Sequence, residues 1–185
     1  RNSAEDRWGG IYWGYQVIGQ FQSEEEIKNY PVNLDGQGNT TLLPGDLIYK
    51  DVNNDGVINS MDERPIGFPE NWILSFGGNI GLEWRGIDLN IDFSGGAMQG
   101  WRQNYELANA YHNGGNSPAY LLEDRWHRAD LYDPESEWIS GRYPAIRNGE
   151  FAYNNKNSDF WLHNVHYLRI SNLEIGYSLP MWMLK

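Results

Sequence analysis

The sequence predicts an all-β protein whose strands carry one apolar and one polar face, and three observations predict it. Two alternating runs meet at a two-residue turn within residues 72–93, WILSFGGNIGLEWRGIDLNIDF. A third run of the same kind occupies residues 173–179. No segment approaches the ~20 consecutive apolar residues of a membrane helix, so any apolar surface shown to a membrane must be carried by strands.

In the first run Trp72, Leu74, Phe76, Ile80, Leu82 and Trp84 take the even positions, while Ser75, Asn79, Glu83 and Arg85 take odd ones. That is the period of a strand with one greasy face. In the second run Ile87, Leu89, Ile91 and Phe93 are apolar, and Asp88, Asn90, Asp92 and Ser94 alternate with them. The parity switches across Arg85-Gly86, as a two-residue hairpin loop requires if Trp84 and Ile87 are to face the same side. Residues 72–84 span roughly 40 Å when extended, and a tilt of about 40° projects that to roughly 30 Å, near a bilayer's hydrocarbon thickness. Tryptophans at both ends of the band suit the aromatic girdles of an outer-membrane barrel. The same pattern also suits a hairpin in a soluble sandwich that buries its apolar face on a second sheet.

Composition narrows the partners. The 185 residues are 40% hydrophobic and 15% aromatic, enough to build a real core. A net charge of −11 repels phosphate backbones and excludes nucleic acid as a partner, favouring cations and neutral polar ligands. With no cysteine, disulfides, thiolate zinc sites and cysteine nucleophiles all drop out. If the strands face lipid, the chain is expected to be a piece of a longer polypeptide, because an open strand edge in lipid leaves unsatisfied amides.

Residues 1–22 alternate aromatics (Tyr12, Trp13, Tyr15, Phe21) with Gly9, Gly10, Gly14 and Gly19, which predicts an irregular extended segment. Ser23-Glu24-Glu25-Glu26 reads as a capping box ahead of Ile27, predicting a helix of about two turns before Pro31. Residues 33–44 are polar and turn-rich, a surface loop by composition. Leu47-Ile48-Tyr49 then leads into DVNNDGVINSMD, residues 51–62.

That motif carries the offsets of a twelve-residue calcium loop. Asp51, Asn53 and Asp55 stand at positions 1, 3 and 5, Gly56 at the sharp turn, Val57 at the carbonyl position 7, and Asp62 at position 12. Calcium needs six or more hard oxygens at about 2.4 Å, and only a tightly turning backbone converges alternate side chains. Two features depart from the pattern: position 12 is aspartate where a bidentate glutamate is usual, and Pro65 follows closely where a helix would. An Asx-rich turn held by its own side-chain to backbone bonds is the alternative.

Beyond the hairpin, residues 95–164 show little periodicity. Ser117-Pro118 predicts a helix start for AYLLEDRWHRAD, and Asp133-Pro134, Tyr143-Pro144 and the Asn154, Asn155, Asn157 cluster are loop chemistry. Roughly 70 residues exceed any ordinary connection, so the stretch is functional or a small subdomain. In the last strand Leu173, Ile175, Tyr177 and Leu179 share a face, but Leu168 and Ile170 lie on the opposite parity, which predicts a bulge near Ser171-Asn172.

Taken together, GDLIYKDVNNDGVINSMDERPIGFPENWILSFGGNIGLEWRGIDLNIDFSG, a long loop containing RW, and FWLHNVHYLRISNLEIGYSLP resemble the C-terminal part of SusC/RagA-type TonB-dependent outer-membrane transporters of Bacteroidetes. The likeness reaches GYQVIGQFQSEEEI near the start and so covers most of the chain. It implies a fragment of a plugged, antiparallel transmembrane barrel of 22 strands with long extracellular loops containing short helices. It implies import of glycans or peptides across the bacterial outer membrane, with a SusD-type lipoprotein, the rest of the barrel and plug, outer-membrane lipid and the TonB system as partners. The expected division is a loop region 1–71, a hairpin 72–94, a loop 95–165, a strand 166–180 and a turn 181–185, with 1–71 and 95–165 outside the cell.

Enzyme chemistry is not expected. Pairs such as Glu123 with Asp124 or Asp133 with Glu135 have no spacing that fixes a glycosidase geometry, and His127, His163 and His166 suit no metal pattern. The loop aromatics Trp101, Tyr105, Tyr111, Trp126, Trp138 and Tyr143 are candidates for contact with substrate or lipoprotein, against packing of the loops on themselves. The alternative function is a soluble, calcium-stabilised carbohydrate-binding β-sandwich, whose sugars would stack on Trp and Tyr and bond to carboxamides.

Overall fold

The computed structural model describes Arg7, residues 9–147 and residues 151–183. In chain order the elements are β1 (Tyr12–Gly14), β2 (Val17–Gln20), α1 (Glu24–Asn29), β3 (Leu47–Tyr49), β4 (Arg64–Gly67), β5 (Leu74–Trp84), β6 (Ile87–Arg102), α2 (Ala119–Glu123), β7 (His127–Arg128), β8 (Trp138–Ile139) and β9 (Leu162–Tyr177). Strands predominate over the two short helices, an all-β architecture. Two compact units result: Arg1–Gly67 with Arg102–His163, and Phe68–Trp101 with Asn164–Lys185.

The first unit is built from short strand pairs around one core. The segment expected to be irregular supplies β1 and β2, which pair antiparallel with β4 and β3, each pairing carrying a register shift. At Gly14 an added Cβ would stand 2.3 Å from the Asn157 carbonyl oxygen, so only glycine permits that approach. Ser23 caps α1 by accepting from the Glu26 amide at 3.1 Å. The Glu26 carboxylate reaches back to the Gln22 amide at 2.7 Å, one residue beyond the Ser23 amide that a capping box would use. Ile27 is the buried residue of this helix and joins Phe21, Leu47, Ile48, Tyr49 and Tyr153 in the core.

Residues 33–44 depart from the surface loop expected of them. Leu34 and Leu42 are 2% and 5% exposed and belong to that core. The turn folds inward because Asn39, at φ 64°, accepts from the Leu34 amide at 2.8 Å and donates to the Val32 carbonyl at 2.9 Å. Asp35 gathers the amides of Gln37, Asn39 and Thr41. Burial works against ionisation of Asp35, but these bonds outweigh it and hold its carboxyl below the usual value.

One buried ion pair ties the early chain to the late chain. Asp46 is fully buried and accepts from Arg147, from Asn154 at 2.8 Å and from the Leu43 amide at 2.8 Å. Burial pushes the Asp46 carboxyl up, while the Arg147 guanidinium and the Asn154 amide pull it back. Beside it the Tyr49 hydroxyl donates to the Tyr153 carbonyl at 2.8 Å, and Tyr153 donates to the Leu47 carbonyl at 2.5 Å. The Lys156 ammonium sits among the rings of Tyr15, Tyr49 and Tyr153 at 5.0–5.4 Å, and its burial lowers its pKa.

The helix expected from Ser117-Pro118 through Asp130 stops after five residues, and Pro118 is its cap. Tertiary bonds override the propensity. Asp124 accepts the amides of Arg142 at 3.0 Å and Tyr143 at 2.9 Å, the Trp126 amide bonds to the Tyr143 carbonyl at 2.9 Å, and β7 then pairs with β8. Trp126 is driven inward, 4% exposed, against Gly45, where an added Cβ would meet its ring at 2.2 Å.

The second unit is a three-stranded sheet in the order β5-β6-β9. β5 and β6 pair antiparallel along their whole shared length, from Leu74↔Ala97 to Trp84↔Ile87. The turn places Arg85 at φ 49° and Gly86 at φ 83°, the left-handed pair of a type I′ hairpin. On the other side of β6, the Ser178 amide bonds to the Gly86 carbonyl at 2.7 Å, Gly176 lies beside Asp88 and Asn172 beside Asp92, so β9 runs antiparallel. β9 runs through Ser171-Asn172, and Leu168 and Ile170 before that point are 68% and 62% exposed, as Leu173 and Ile175 of opposite parity are after it; within β6, Met98 has φ 60°.

The two faces of this sheet differ in chemistry. Leu74, Phe76, Ile80, Leu82, Trp84, Ile87, Leu173, Ile175 and Tyr177 are each at least 42% exposed. On the opposite face Asn79 donates to Asn90 at 2.6 Å and to Asp92 at 2.7 Å, and Asn172 donates to Asp92 at 3.4 Å and to Glu174 at 3.0 Å. No helix among the described residues is long and apolar enough to cross a membrane. The sheet is open, with β5 and β9 at its edges.

Candidate functional site

The loop 51–62 is organised by its own carboxylates. Asp51 accepts the amides of Asn54 at 2.6 Å and Gly56 at 2.8 Å. Asn53 accepts the Asp55 amide at 3.1 Å, and Asp55 accepts the Val57 amide at 3.0 Å. The last two bonds are Asx turns, Asp51 reaches amides three and five residues on, and Gly56 at φ 82° lets the chain reverse. Asp62 is fully buried and accepts the amides of Val52 at 2.9 Å and Asn59 at 3.0 Å, clasping the end of the loop to its beginning. Hydrogen bonds from the Asn53 side chain and the Val57 amide hold the Asp55 carboxyl below its usual value.

A calcium ion is a demanding test of this donor set. Among the described residues no three His, Asp or Glu side chains come together as a metal cluster. Asp51, Asn53 and Asp55 retain oxygen lone pairs beyond those given to the backbone, and with the Val57 carbonyl they would be the ligands of an ion on the exposed side of the turn. Asp62 contributes through the clasp.

A second feature is a pair of adjoining cavities in the same unit. Ala108, Asn109, Asn155 and Trp161 form a wall common to both. The first is completed by Leu121, Pro144, Phe151 and Tyr143, whose ring stacks on Trp161 at 5.9 Å and 19°. Arg147 also lines it, but that guanidinium is already committed to Asp46. The second lies under the loop that follows β6, with Arg102, Asn104, Tyr105 and His112 around ≈ 570 Å³ of empty space that includes its open mouth. Gln103 is 5% exposed at its base, anchored to the Leu107 carbonyl, to the Tyr120 hydroxyl at 3.0 Å and to His163 at 3.0 Å.

The six aromatics singled out from sequence scatter over these features. Tyr105, 62% exposed, lines the second cavity, and Tyr143 lines the first. Tyr111 is 54% exposed and lines neither. Trp126 is in the interior. Trp138 holds Arg128 over its ring at 4.6 Å and donates to Glu24 at 3.2 Å. Trp101, 45% exposed, belongs to the other unit. Sequence reasoning passed over Arg102, Asn104 and His112; the signal available was an arginine three residues before Tyr105 in a chain of strongly acidic balance.

Known proteins bear on these features. No protein-family model matches the chain. It is similar to TonB-dependent receptor P3 of Formosa agariphila, 25% identical over 175 residues, an alignment that takes in 92% of this chain. The chain spans 15% of that relative's length.

Proposed function

We propose that the chain forms part of a TonB-dependent outer-membrane importer of the SusC/RagA kind. In this reading the three long strands lie in the wall of a 22-strand barrel, and residues 1–71 and 95–165 form loops on the outer surface. The observation that carries it is the exposed apolar face of the three-stranded sheet. In water such a face is a liability, whereas in lipid it is the ordinary outer surface of a barrel strand, with tryptophan and tyrosine where the girdle falls. The eleven residues of β5 are also the length a tilted strand needs to cross. Import of a glycan or peptide, cooperation with a SusD-type lipoprotein and energy from TonB belong to the same proposal.

The test is fractionation of cells carrying the full-length protein. Recovery in the outer membrane, released only by detergent, is expected. Recovery in the soluble fraction without detergent would overturn the importer and favour a calcium-stabilised, carbohydrate-binding β-sandwich.

The same proposal assigns calcium to residues 51–62, with Asp51, Asn53, Asp55 and the Val57 carbonyl as ligands and Asp62 closing the loop. A bound cation would offset the repulsion among three carboxylates on one turn. Chelation is therefore expected to speed protease cleavage between Asp51 and Asp62, and calcium but not magnesium to reverse it. An unchanged cleavage pattern would remove calcium from the proposal and leave an Asx-rich turn.

A further inference from the structure

The second cavity is chemically unlike the rest of the chain. The sequence has 25 acidic and 14 basic residues, yet the lining contains Arg102 and His112 and no carboxylate. A guanidinium has five N–H donors. Arg102 gives one bond, from Nη2 to the Asn155 carbonyl at 3.3 Å, and its buried Nε has no acceptor among the described residues. No described carboxylate lies in an ion pair with it. A buried, charged donor left in this state is costly unless something accepts from it.

The backbone around this group is strained. Tyr105, Tyr111 and Asn113 sit at φ 49°, 60° and 51°, three left-handed residues with side chains within nine positions. Such conformations are uncommon for residues with side chains and collect at active sites and ligand clamps. Of the three, Tyr105 lines the cavity, and its ring lies 5.7 Å from that of His112, which lines it too. The cavity proper holds ≈ 230 Å³, less than the ~300–1,000 Å³ of sites for drug-sized ligands, so its occupant is a small one.

We propose that this cavity binds a ligand bearing an oxyanion, a carboxylate or a sulfate, on a neutral ring with several hydroxyls. The oxyanion pairs with Arg102, which presents donors in the fork geometry that suits it. The carboxamides of Asn104 and Asn109 bond hydroxyls as donor or acceptor, and the exposed Tyr105 ring offers a stacking face. An acidic sugar has this combination of groups. The site goes beyond the importer reading and rests on it only for the route by which such a ligand arrives, since binding is measured on purified protein.

Calorimetry on the full-length protein in detergent would compare methyl glucuronoside, glucose 6-sulfate and methyl glucoside. At least one of the anionic sugars is expected to bind about tenfold more tightly than the neutral one, and whichever does so identifies the oxyanion. R102Q is expected to abolish that preference, bringing the anionic sugars to the affinity of methyl glucoside. Should R102Q fail to fold by circular dichroism, salt supplies a second readout on the unaltered protein, because raising the ionic strength screens the pairing of the anionic sugars with Arg102 and leaves methyl glucoside unchanged. Equal affinity for all three sugars, binding of none, or a preference that survives the folded variant overturns the site, whatever the fractionation result.

Discussion

Replacing Arg147 with methionine is expected to destabilise the unit containing residues 12–67 by about 3–5 kcal/mol, because it leaves the fully buried Asp46 carboxylate without its countercharge. Asp46 keeps Asn154 and the Leu43 amide, but neutral donors do not compensate a desolvated charge. The double change Asp46→Leu with Arg147→Met should recover most of the loss, since no unpaired charge remains. Hydrogen exchange at the Leu43 and Leu47 amides reads the effect locally; the first bonds to Asp46 and the second to Asn154. Protection unchanged in the single variant would show that the pair contributes nothing to the core. The pH dependence has a definite sign. The Asp46 carboxyl titrates above its unfolded value, so its contribution is fullest below about pH 4 and is lost as pH rises through the folded value. Removing Arg147 should steepen that loss.

The second large effect concerns the sheet. Ile80 stands near the middle of β5, 46% exposed, and pairs with Ile91. If that face meets lipid, Ile80→Arg places a charge near the bilayer midplane and costs about 2–4 kcal/mol. Asn79→Lys, one residue away on the polar face and beside Asp92, should cost far less. Outer-membrane yield and heat-modifiable migration of the folded barrel would be compared for the two variants. Equal tolerance of both charges would mean the apolar face does not contact lipid.

What was legible in the sequence was local. The hairpin could be read because parity must switch across a two-residue turn, and because Gly86 tolerates the φ of 83° that the turn imposes. Ser23 marked the start of α1 for a similar reason: an N-cap acts on an amide three residues away. The Asx turns of Asn53 and Asp55 and the longer reach of Asp51 follow from fixed offsets of two to five residues.

What was not legible depends on distant partners. Nothing near Leu34 or Leu42 says that a polar loop will fold them into a core with Tyr153. The premature end of α2 is set by Tyr143 and Arg142, some twenty residues on, which take over Asp124. The cavity beside Arg102 is completed by Asn155 and Trp161, which no local pattern connects to it.

The bonds that close the first unit join residues far apart in the chain. Tyr49 to Tyr153, Leu47 to Asn154 and Asp46 to Arg147 span 104, 107 and 101 positions. Contacts of such separation form late, because loop-closure entropy must be overcome before they return any stability. β5 and β6, by contrast, are joined by a two-residue turn, so their pairing needs little loop closure. Residues 34–49 therefore lack their core until the chain through residue 154 is present. That interval exposes Leu47-Ile48-Tyr49 and leaves Asp46 hydrated. It makes the early half of the first unit the segment most in need of protection by a chaperone until residue 154 arrives.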